Sequence, residues 1–317
     1  PDVPRAGLLD LSGLLAPAPP FRRPRHRGTA PNVRPDLVSL DEEILTELDP
    51  ALQLGRPFAG RYAIGNHHLT VGARIAGHVA RRLGGIGLDA PVRLRFRGSA
   101  GQSFGAFAVA GLRLELEGEA NDHVGKGLCG GEITIRPFRD AAYAGGDPAP
   151  VILGNTALYG ATAGRLFAAG AAGDRFAVRN SGAVAVIEGA GHHCCEYMTG
   201  GVVVVLGPVG PNLGAGMSSG VAYVLDEAAA LESRCNPDMV SVSGLDREDE
   251  KRLHALVRAH AAKTGSARAR RVLEHWQDQR ARFRKVLPRA PAPLPAPRPK
   301  RPHTVGATLA PSVEVRS

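Results

Sequence analysis

The sequence predicts a mainly β protein whose strands wind into a parallel β-helix, a solenoid of stacked chain turns. Short apolar strands follow one another from residue 92 onward, and no helical pattern separates them. Glycine is abundant at 40 residues and proline at 25, while aromatic residues make up only 5%, a balance that favours strands and turns over long helices. A glycine also recurs before successive strands at a spacing near 19 residues. Such a period indicates a solenoid, because each turn buries its apolar face only by stacking on its neighbours.

Two short helices are predicted before the solenoid, within residues 36–90. In the stretch 39–52, Ser39 can cap a helix and Glu42 follows three positions later, which is the pattern of a capping box. A second helix is predicted over 71–84, because its apolar residues recur at helical spacing.

The predicted β-helix spans residues 91–228. Its strands are expected at 92–98, 112–118, 132–137, 165–170, 183–189, 202–207 and 221–226. The glycines that precede strands are Gly111, Gly131, Gly164, Gly182, Gly201 and Gly220. Their intervals are 20, 33, 18, 19 and 19 residues, and we interpret the loop at 138–150 as an insertion that lengthens one turn. Glycine suits sharp corners since it reaches positive φ without steric cost.

After the solenoid, residues 240–289 are predicted to form a pair of helices, over 245–265 and 266–288. The first has acidic residues in its first turn and a glycine after its end, as helix ends prefer. The two termini have little periodicity. Residues 1–35, rich in proline and arginine, are predicted to form an extended arm, and the proline-rich residues 290–317 a disordered tail.

The net charge of +9 is concentrated near the C-terminus. Residues 245–301 contain 16 lysines and arginines against 6 aspartates and glutamates, whereas the rest of the chain has 23 against 24. A chain that is nearly neutral except for a basic C-terminal region is more typical of a solvated helix face and a disordered tail than of a nucleic-acid-binding surface. Nucleic acid is therefore not the expected partner.

Cysteine usage and hydropathy favour a cytoplasmic protein with reduced thiols. Four cysteines in 317 residues do not make a disulfide framework, and Cys194 and Cys195 are adjacent. No apolar run reaches the length of about 18 residues that a membrane span needs. The start of the sequence has no signal-peptide pattern. It also has no initiator methionine, which fits a fragment of a longer protein.

The stretch with the most chemistry is EGAGHHCCEYMTGG, residues 188–201. A zinc site would need about four converging ligands, but neighbouring residues on a strand point to opposite faces. A nucleophilic Cys195 with His193 as its base is a further alternative, because residues i and i+2 of a strand share a face. The sequence supplies neither an orienting residue nor an oxyanion site for it.

The repeat offers a plainer interpretation of this stretch. When it is aligned on the neighbouring turns, Cys195 falls on Ala177 and Gly214, and Cys194 falls on Phe176 and Leu213. Both cysteines are therefore predicted to be small core residues. His192 and His193 fall on Asp174 and Arg175, where we expect a corner that faces water.

Two glycine-rich stretches are compared with phosphate-binding loops. Residues 98–107 have no lysine, and residues 124–133 contain Lys126 but do not fit G-x-x-x-x-G-K-[ST]. Neither is followed by a predicted helix, whose N-terminus would stabilise an anion. We therefore predict solenoid corners. His67, His68, His123 and Trp276 also form no recognisable site, and no catalytic, cofactor-binding or metal-binding residue is predicted in this chain.

Several stretches closely resemble the C-terminal domain of the large (alpha) subunit of glutamate synthase. They are GSAGQSFGAF, EGEANDHVGKGLCGGEITIRP, the long segment from ILGNTALYG to GGVVVVLG, and NLGAGMSSGVAYVLD. LDLSGLL near the start and the predicted C-terminal helices are similar to that family as well, so the resemblance covers residues 7–289. It implies a right-handed parallel β-helix, the GXGXG domain. Related β-helix units in subunits of formylmethanofuran dehydrogenase are the second choice. Those units are not expected to carry both the N-terminal stretch and the C-terminal helices that flank this β-helix.

The resemblance implies a scaffold in nitrogen metabolism and glutamate biosynthesis, within an oxidoreductase whose chemistry lies elsewhere. In that family a glutaminase domain releases ammonia from glutamine, and a flavin domain with an iron–sulfur cluster aminates and reduces 2-oxoglutarate. FMN and the cluster are expected on these partner domains or on a partner subunit. Whether the electron donor is NADPH, NADH or ferredoxin stays open. Because the expected partners are large domains, an uncovered apolar flank is expected on the β-helix.

This sequence departs from the family pattern at four positions. His192 stands where aspartate is usual, Cys194 and Ser219 where glycine is usual, and Cys129 where serine is usual. If the backbone at 194 or 219 needs positive φ, each substitution costs about 1 kcal/mol or more. A detached scaffold would tolerate such costs. An independent β-helix protein that binds a partner through its basic tail is the alternative function.

Overall fold

The computed structural model describes residues 10, 12–16, 39–84, 87–141 and 149–289. The chain divides into two compact units, residues 1–38 and 39–317. Among the described residues, the first unit contains the short helix α1 (Ser12–Leu15). Most of the predicted arm and all of the predicted tail lie outside the described residues. Within the described ranges, no helix is long and apolar enough to cross a membrane.

The solenoid is preceded by α2 (Leu40–Gln53), β1 (Phe58–Ile64) and α3 (Ala73–Leu83). Both predicted helices are confirmed, and Ser39 and Glu42 form the predicted capping box. The buried Asp41 accepts hydrogen bonds from the backbone N–H groups of Gly72 and Arg74, at 2.7 and 2.9 Å. Sequence analysis does not predict β1, which pairs in parallel with the first predicted strand and so begins the solenoid one turn earlier.

The solenoid has a long parallel sheet on one side. After β1 its strands are β2 (Val92–Ala100), β3 (Leu112–Ala120), β4 (Cys129–Arg136), β6 (Ala163–Ala168), β8 (Ser181–Ile187), β10 (Thr199–Val205) and β11 (Ser219–Leu225). A narrower ladder of strands, β5 (Val151–Leu153), β7 (Ala171–Ala172) and β9 (Gly189–Ala190), joins this sheet where Leu153 pairs with Ala120 at the end of β3. These strands are too short to leave a sequence pattern. Paired residues such as Val92 and Leu112 lie one repeat apart. The parallel β-solenoid, of about 6 turns, confirms the predicted fold class.

The third side of each turn consists of a segment that is neither helix nor strand. Every second residue of this segment has positive φ. The triplets are 103, 105, 107; 123, 125, 127; 156, 158, 160; 175, 177, 179; 193, 195, 197; and 212, 214, 216. In the first five, the outer two residues donate their backbone N–H to the next turn and the middle one donates to the previous turn. Glycine favours positive φ, so this alternation accounts for glycines at every second position, as at Gly125 and Gly127.

The inner face of the long sheet and these turn segments bury one continuous apolar core. Leu94, Leu114, Ile133 and Leu166 belong to it, and each is fully buried. Phe176 packs into the same core from its turn segment and is also fully buried. Stacking therefore supplies the hydrophobic stabilisation that a single turn lacks.

The outer face of the long sheet is covered at its C-terminal half. Helices α4 (Arg247–Thr264) and α5 (Ala267–Glu274) pack there. The sheet contributes Phe167, Val186 and Val204 to this second apolar cluster, and α4 contributes Leu253 and Val257. Strands β8, β10 and β11 are thus buried on both faces, which explains why their sequences are continuous apolar runs.

The predicted second helix, over 266–288, is wrong in its second half. The chain leaves α5 at Glu274, continues through α6 (Trp276–Gln279) and ends in β13 (Phe283–Pro288). This strand pairs antiparallel with β11 on one side and with β12 (Val240–Ser243) on the other. The last parallel strand would otherwise present unpaired N–H and C=O groups, so pairing overrides the helical pattern of the local sequence.

Candidate functional site

The stretch 192–196 lies in a turn segment of the solenoid. Cys194 and Cys195 are completely buried, and His192 is exposed. The Cys195 N–H donates to the carbonyl of Phe176 in the previous turn (2.8 Å), and the carbonyl of Cys194 accepts from Gly214 in the next turn (2.8 Å). The predicted alignment of the turns and the core position of both cysteines are confirmed.

The thiol of Cys195 is not placed for nucleophilic chemistry. It lies 3.7 Å from the Cys194 sulfur inside the core. This hydrogen bond, together with burial, raises the pKa of Cys195 well above its ordinary value. A protonated, inaccessible thiol is a poor nucleophile, so the alternative of Cys195 with His193 as base is not supported. His193 and Cys195 also do not share the face of a strand, because this segment is not extended and both residues have positive φ.

His193 belongs to a small polar network at the surface. Its Nδ1 lies 3.5 Å from Glu196 Oε1, and the other carboxylate oxygen lies 3.1 Å from Arg175 Nη2. Asn212 Nδ2 lies 3.4 Å from His193 Nε2. In the described part of the chain, no group of three or more histidine, cysteine, aspartate or glutamate side chains could hold a metal ion. The network links three neighbouring turns and positions no nucleophile.

His192 belongs to a corner ladder, the column formed by Asp122, Asn155, Asp174, His192 and Pro211 in successive turns. The side-chain Oδ1 of each of the first three accepts a hydrogen bond from the backbone N–H of the next member, at 2.7, 2.9 and 2.8 Å. His192 cannot continue this pattern with a carboxylate or amide oxygen. The residue that it would serve, Pro211, has no N–H, so the departure at His192 leaves no backbone donor without its acceptor.

Two of the other departures from the family pattern carry no backbone penalty. Neither Cys194 nor Ser219 has positive φ, so the condition under which each substitution would cost stability is not met. Of the two adjacent cysteines, Cys195 is the one with left-handed backbone, with φ of 59°. The glycine that is usual at position 194 in the family therefore does not mark a left-handed residue, because positive φ falls on 193, 195 and 197.

Residues 101–107 and 124–128 of the two glycine-rich stretches are turn segments, as predicted, whereas residues 98–100 belong to β2 and residues 129–133 to β4. A Cβ at Gly105 would lie 2.5 Å from Ile133 Cδ1, and one at Gly125 would lie 3.0 Å from Leu158 Cδ2. Both positions therefore face the packed core, where no phosphate fits. Trp276 packs against Phe283 (ring centroids 6.2 Å apart) in the C-terminal cluster.

A surface that sequence analysis did not single out lies on the uncovered half of the long sheet. This basic face is the outer surface of β1 to β4, with Arg61, Arg93, Arg95, Arg97, Arg113 and Arg136, flanked by Arg139 and Lys263. It lines an open groove of about 970 Å³ that also contains three glutamates, Glu115, Glu117 and Glu132. The strict alternation in VRLRFRG and LRLELEG, against the continuous apolar runs of later strands, is the signal that could have revealed it.

The basic face meets the covered half at the end of α4. Lys263 Nζ lies 2.6 Å from Glu132 Oε1 and 5.6 Å above the Phe167 ring. The strand register aligns outward-facing residues in one row across the sheet, from Arg95 through Thr134 to Phe167. Phe167 is the first residue of this row that belongs to the buried apolar cluster. The uncovered flank that we expected to be apolar is therefore charged.

Comparison with known proteins identifies relatives of this β-helix. Residues 41–289 match the GXGXG motif family. Ferredoxin-dependent glutamate synthase 2 from Synechocystis sp. is 48% identical over 252 residues, which cover 78% of this chain and 16% of that protein. Glutamate synthase [NADH] from Schizosaccharomyces pombe is 44% identical over 292 residues, 90% of this chain and 14% of that protein.

A third relative, the chloroplastic ferredoxin-dependent glutamate synthase 2 of Arabidopsis thaliana, is 42% identical over 283 residues, 88% of this chain and 17% of that protein. The chain thus spans 14–17% of the length of these three relatives. The match covers the capped helix α2, the solenoid and the C-terminal elements. The chain belongs to the GXGXG motif family and is a GXGXG domain homologous to a region of the glutamate synthases.

Proposed function

We propose that this domain is the structural scaffold of a glutamate synthase, which forms glutamate from glutamine and 2-oxoglutarate, and that it is not catalytic by itself. The observation that carries the proposal is the burial of its most reactive-looking groups. Cys194 and Cys195 stack in the core between neighbouring turns, with Sγ atoms 3.7 Å apart. In the glycine-rich stretches, Gly105 and Gly125 likewise face the core. The residues that suggest chemistry in the sequence thus build the solenoid.

The cofactors of the reaction fit poorly on this chain. An iron–sulfur cluster needs converging cysteine thiolates, but Cys129 is exposed while Cys194 and Cys195 point into the core. The glycine-rich stretches offer no helix N-terminus for the phosphate of FMN. We therefore assign FMN, the cluster and the glutaminase chemistry to the other domains of the enzyme or to a separate flavin-containing polypeptide. A cytoplasmic location is part of the same proposal.

The test is a pull-down of the tagged chain from its native cytosol, with an absorbance scan of the eluate for flavin. We expect a flavoprotein that mass spectrometry identifies as a glutamate synthase, and glutamine-dependent glutamate formation in the eluate. A matched pull-down with an unrelated tagged β-helix gives the background. A colourless eluate without a glutamate synthase polypeptide would contradict the scaffold function and would favour an independent binding protein.

A further inference from the structure

Among the described residues, the outer face of the long sheet is covered along one half only. From β6 onward, α4 and α5 bury its apolar residues, with Phe167 as the first of them. Over β1 to β3, no described element lies on the same face, and α4 reaches only β4, where Lys263 pairs with Glu132. A groove of about 970 Å³ opens there. The outward side chains change from charged to apolar between β4 and β6, where the cover of α4 begins. The basic face is therefore a separate surface with its own composition.

Positive charge dominates the basic face and is only partly neutralised. Of the residues that the structure describes, eight basic and three acidic side chains line the groove. Glu115 pairs with Arg93 and Arg95, Glu117 with Arg136, and Glu132 with Lys263. The exposed residues Arg61, Arg113 and Arg139 make no ion pair with any carboxylate that the structure describes. These three guanidinium groups remain available to a partner.

The strand register brings like charges directly together. Arg61 of β1 is the partner of Arg95 in β2, and Arg93 of β2 is the partner of Arg113 in β3. Like charges on directly opposite residues destabilise a sheet. Elsewhere the same strands pair opposite charges, as in Arg97 beside Glu117. A surface that keeps unfavourable pairs beside favourable ones is a candidate for function, because local rules are broken mainly at functional sites.

The arrangement favours an acidic protein surface over the other polyanions. Guanidinium groups bind carboxylates through paired hydrogen bonds. The interspersed Glu115 and Glu117 would repel a continuous phosphate backbone, whereas a protein surface can match a mixed pattern of charges. The terminal segments of this chain do not fit. Residues 1–38 carry six basic and three acidic side chains, and residues 290–317 carry four and one.

We propose that the basic face docks an acidic protein surface, with Arg61, Arg113 and Arg139 as the side chains that bind its carboxylates. The identity of the partner as another part of a glutamate synthase rests on the function proposed above. The docking places this sheet face, and not the apolar core or the turn segments, against the catalytic part of the enzyme.

The experiment compares the full chain with two triple variants of equal charge. In R61Q/R113Q/R139Q the three arginines of the basic face lose their charge. The matched control, R179Q/R258Q/R271Q, removes three exposed arginines elsewhere. Circular dichroism first checks that both fold. Fluorescence anisotropy then measures binding of a labelled oligoglutamate and of a duplex DNA of equal charge, at low and at physiological salt, and a pull-down measures binding of the glutamate synthase flavoprotein.

The expected result is oligoglutamate binding that salt weakens, that falls about tenfold in the first variant and that is unchanged in the control. Equal binding by the two variants, or tighter binding of the DNA than of oligoglutamate, would overturn the proposal. The pull-down of the flavoprotein distinguishes the proposed scaffold function from the proposed docking surface. If the full chain captures no flavoprotein, the scaffold function fails, and the oligoglutamate measurement still tests whether the basic face binds carboxylates. If it captures the flavoprotein equally in all three forms, the scaffold function stands and the docking surface is refuted.

Discussion

The corner ladder predicts that His192 and Pro211 are coupled. The structure suggests that position 192 lost its acceptor without cost because Pro211 offers no N–H. We therefore consider a double-mutant cycle of His192→Asn and Pro211→Ala. Asparagine is the right acceptor, since Asn155 already serves Asp174 in the ladder at 2.9 Å. A neutral amide also avoids placing a second carboxylate next to Asp174.

The magnitude follows from the hydrogen bond that the double variant restores. His192→Asn alone gains nothing from position 211. Pro211→Ala alone adds a donor without an acceptor and also frees the unfolded chain, which costs about 0.4–1 kcal/mol. In the double variant, Ala at 211 donates to Asn at 192, a bond worth about 1 kcal/mol. The unfolded-state term occurs on both sides of the cycle and cancels, so the coupling energy is about 1 kcal/mol in favour of the double variant.

The assay is urea unfolding of the four proteins, followed by far-UV circular dichroism, with the same denaturant dependence required in all four. Hydrogen exchange at the amide of residue 211, which exists only in the two variants with alanine at that position, gives an independent readout: it is slower in the double variant than in Pro211→Ala alone. As a control, Asn155→Ala removes a bond that exists and destabilises by about 1 kcal/mol or more. A coupling energy below about 0.3 kcal/mol, the usual additivity error, would refute the account of the ladder.

Three further outcomes are expected. In the native protein a thiol reagent at pH 8 modifies Cys129, which is exposed, but more slowly than a free thiol, because partial burial of the sulfur raises its pKa. Cys194 and Cys195 stay unmodified until urea unfolds the chain, and rapid modification of either would contradict their burial. Phe176→Ala destabilises by about 3–5 kcal/mol, since it empties a fully buried site of the core, and a loss below 1 kcal/mol in urea unfolding would show that the turns do not stack as described. Burial raises the pKa of Asp249, but hydrogen bonds from Lys285 and Tyr223 outweigh it and lower the pKa to about 2. Because the folded pKa lies below the ordinary value of 3.8, this carboxylate stabilises fully above about pH 4 and its contribution is lost as the pH falls toward 2. Asp249→Asn should therefore be less stable at neutral pH and show a flatter fall in Tm between pH 4 and 2, and an unchanged acid profile would count against the interaction.

Local chemistry made part of the fold predictable. The helix after Ser39 follows from its own capping box, which needs only residues four positions apart or fewer. The period near 19 residues exposed the solenoid, because each turn must place the same residue types against the same neighbours. The same periodicity aligned Cys194 with Phe176 and Leu213, and so predicted that both cysteines are core residues. These inferences succeed because a solenoid repeats its contacts at a fixed distance in the sequence.

Contacts that do not repeat were decided by the tertiary structure. The stretch around Phe283 has a helical pattern, yet it becomes a strand because β11 offers an edge that must be paired. The basic face exists because α4 ends beside Glu132 and no element in the described part of the chain covers the preceding strands. The tolerance of His192 depends on Pro211, one whole turn away. By itself the sequence determined the period, the core positions and the capped helix, whereas the covered faces and the compensating pair depended on which distant residues the folded chain brings together.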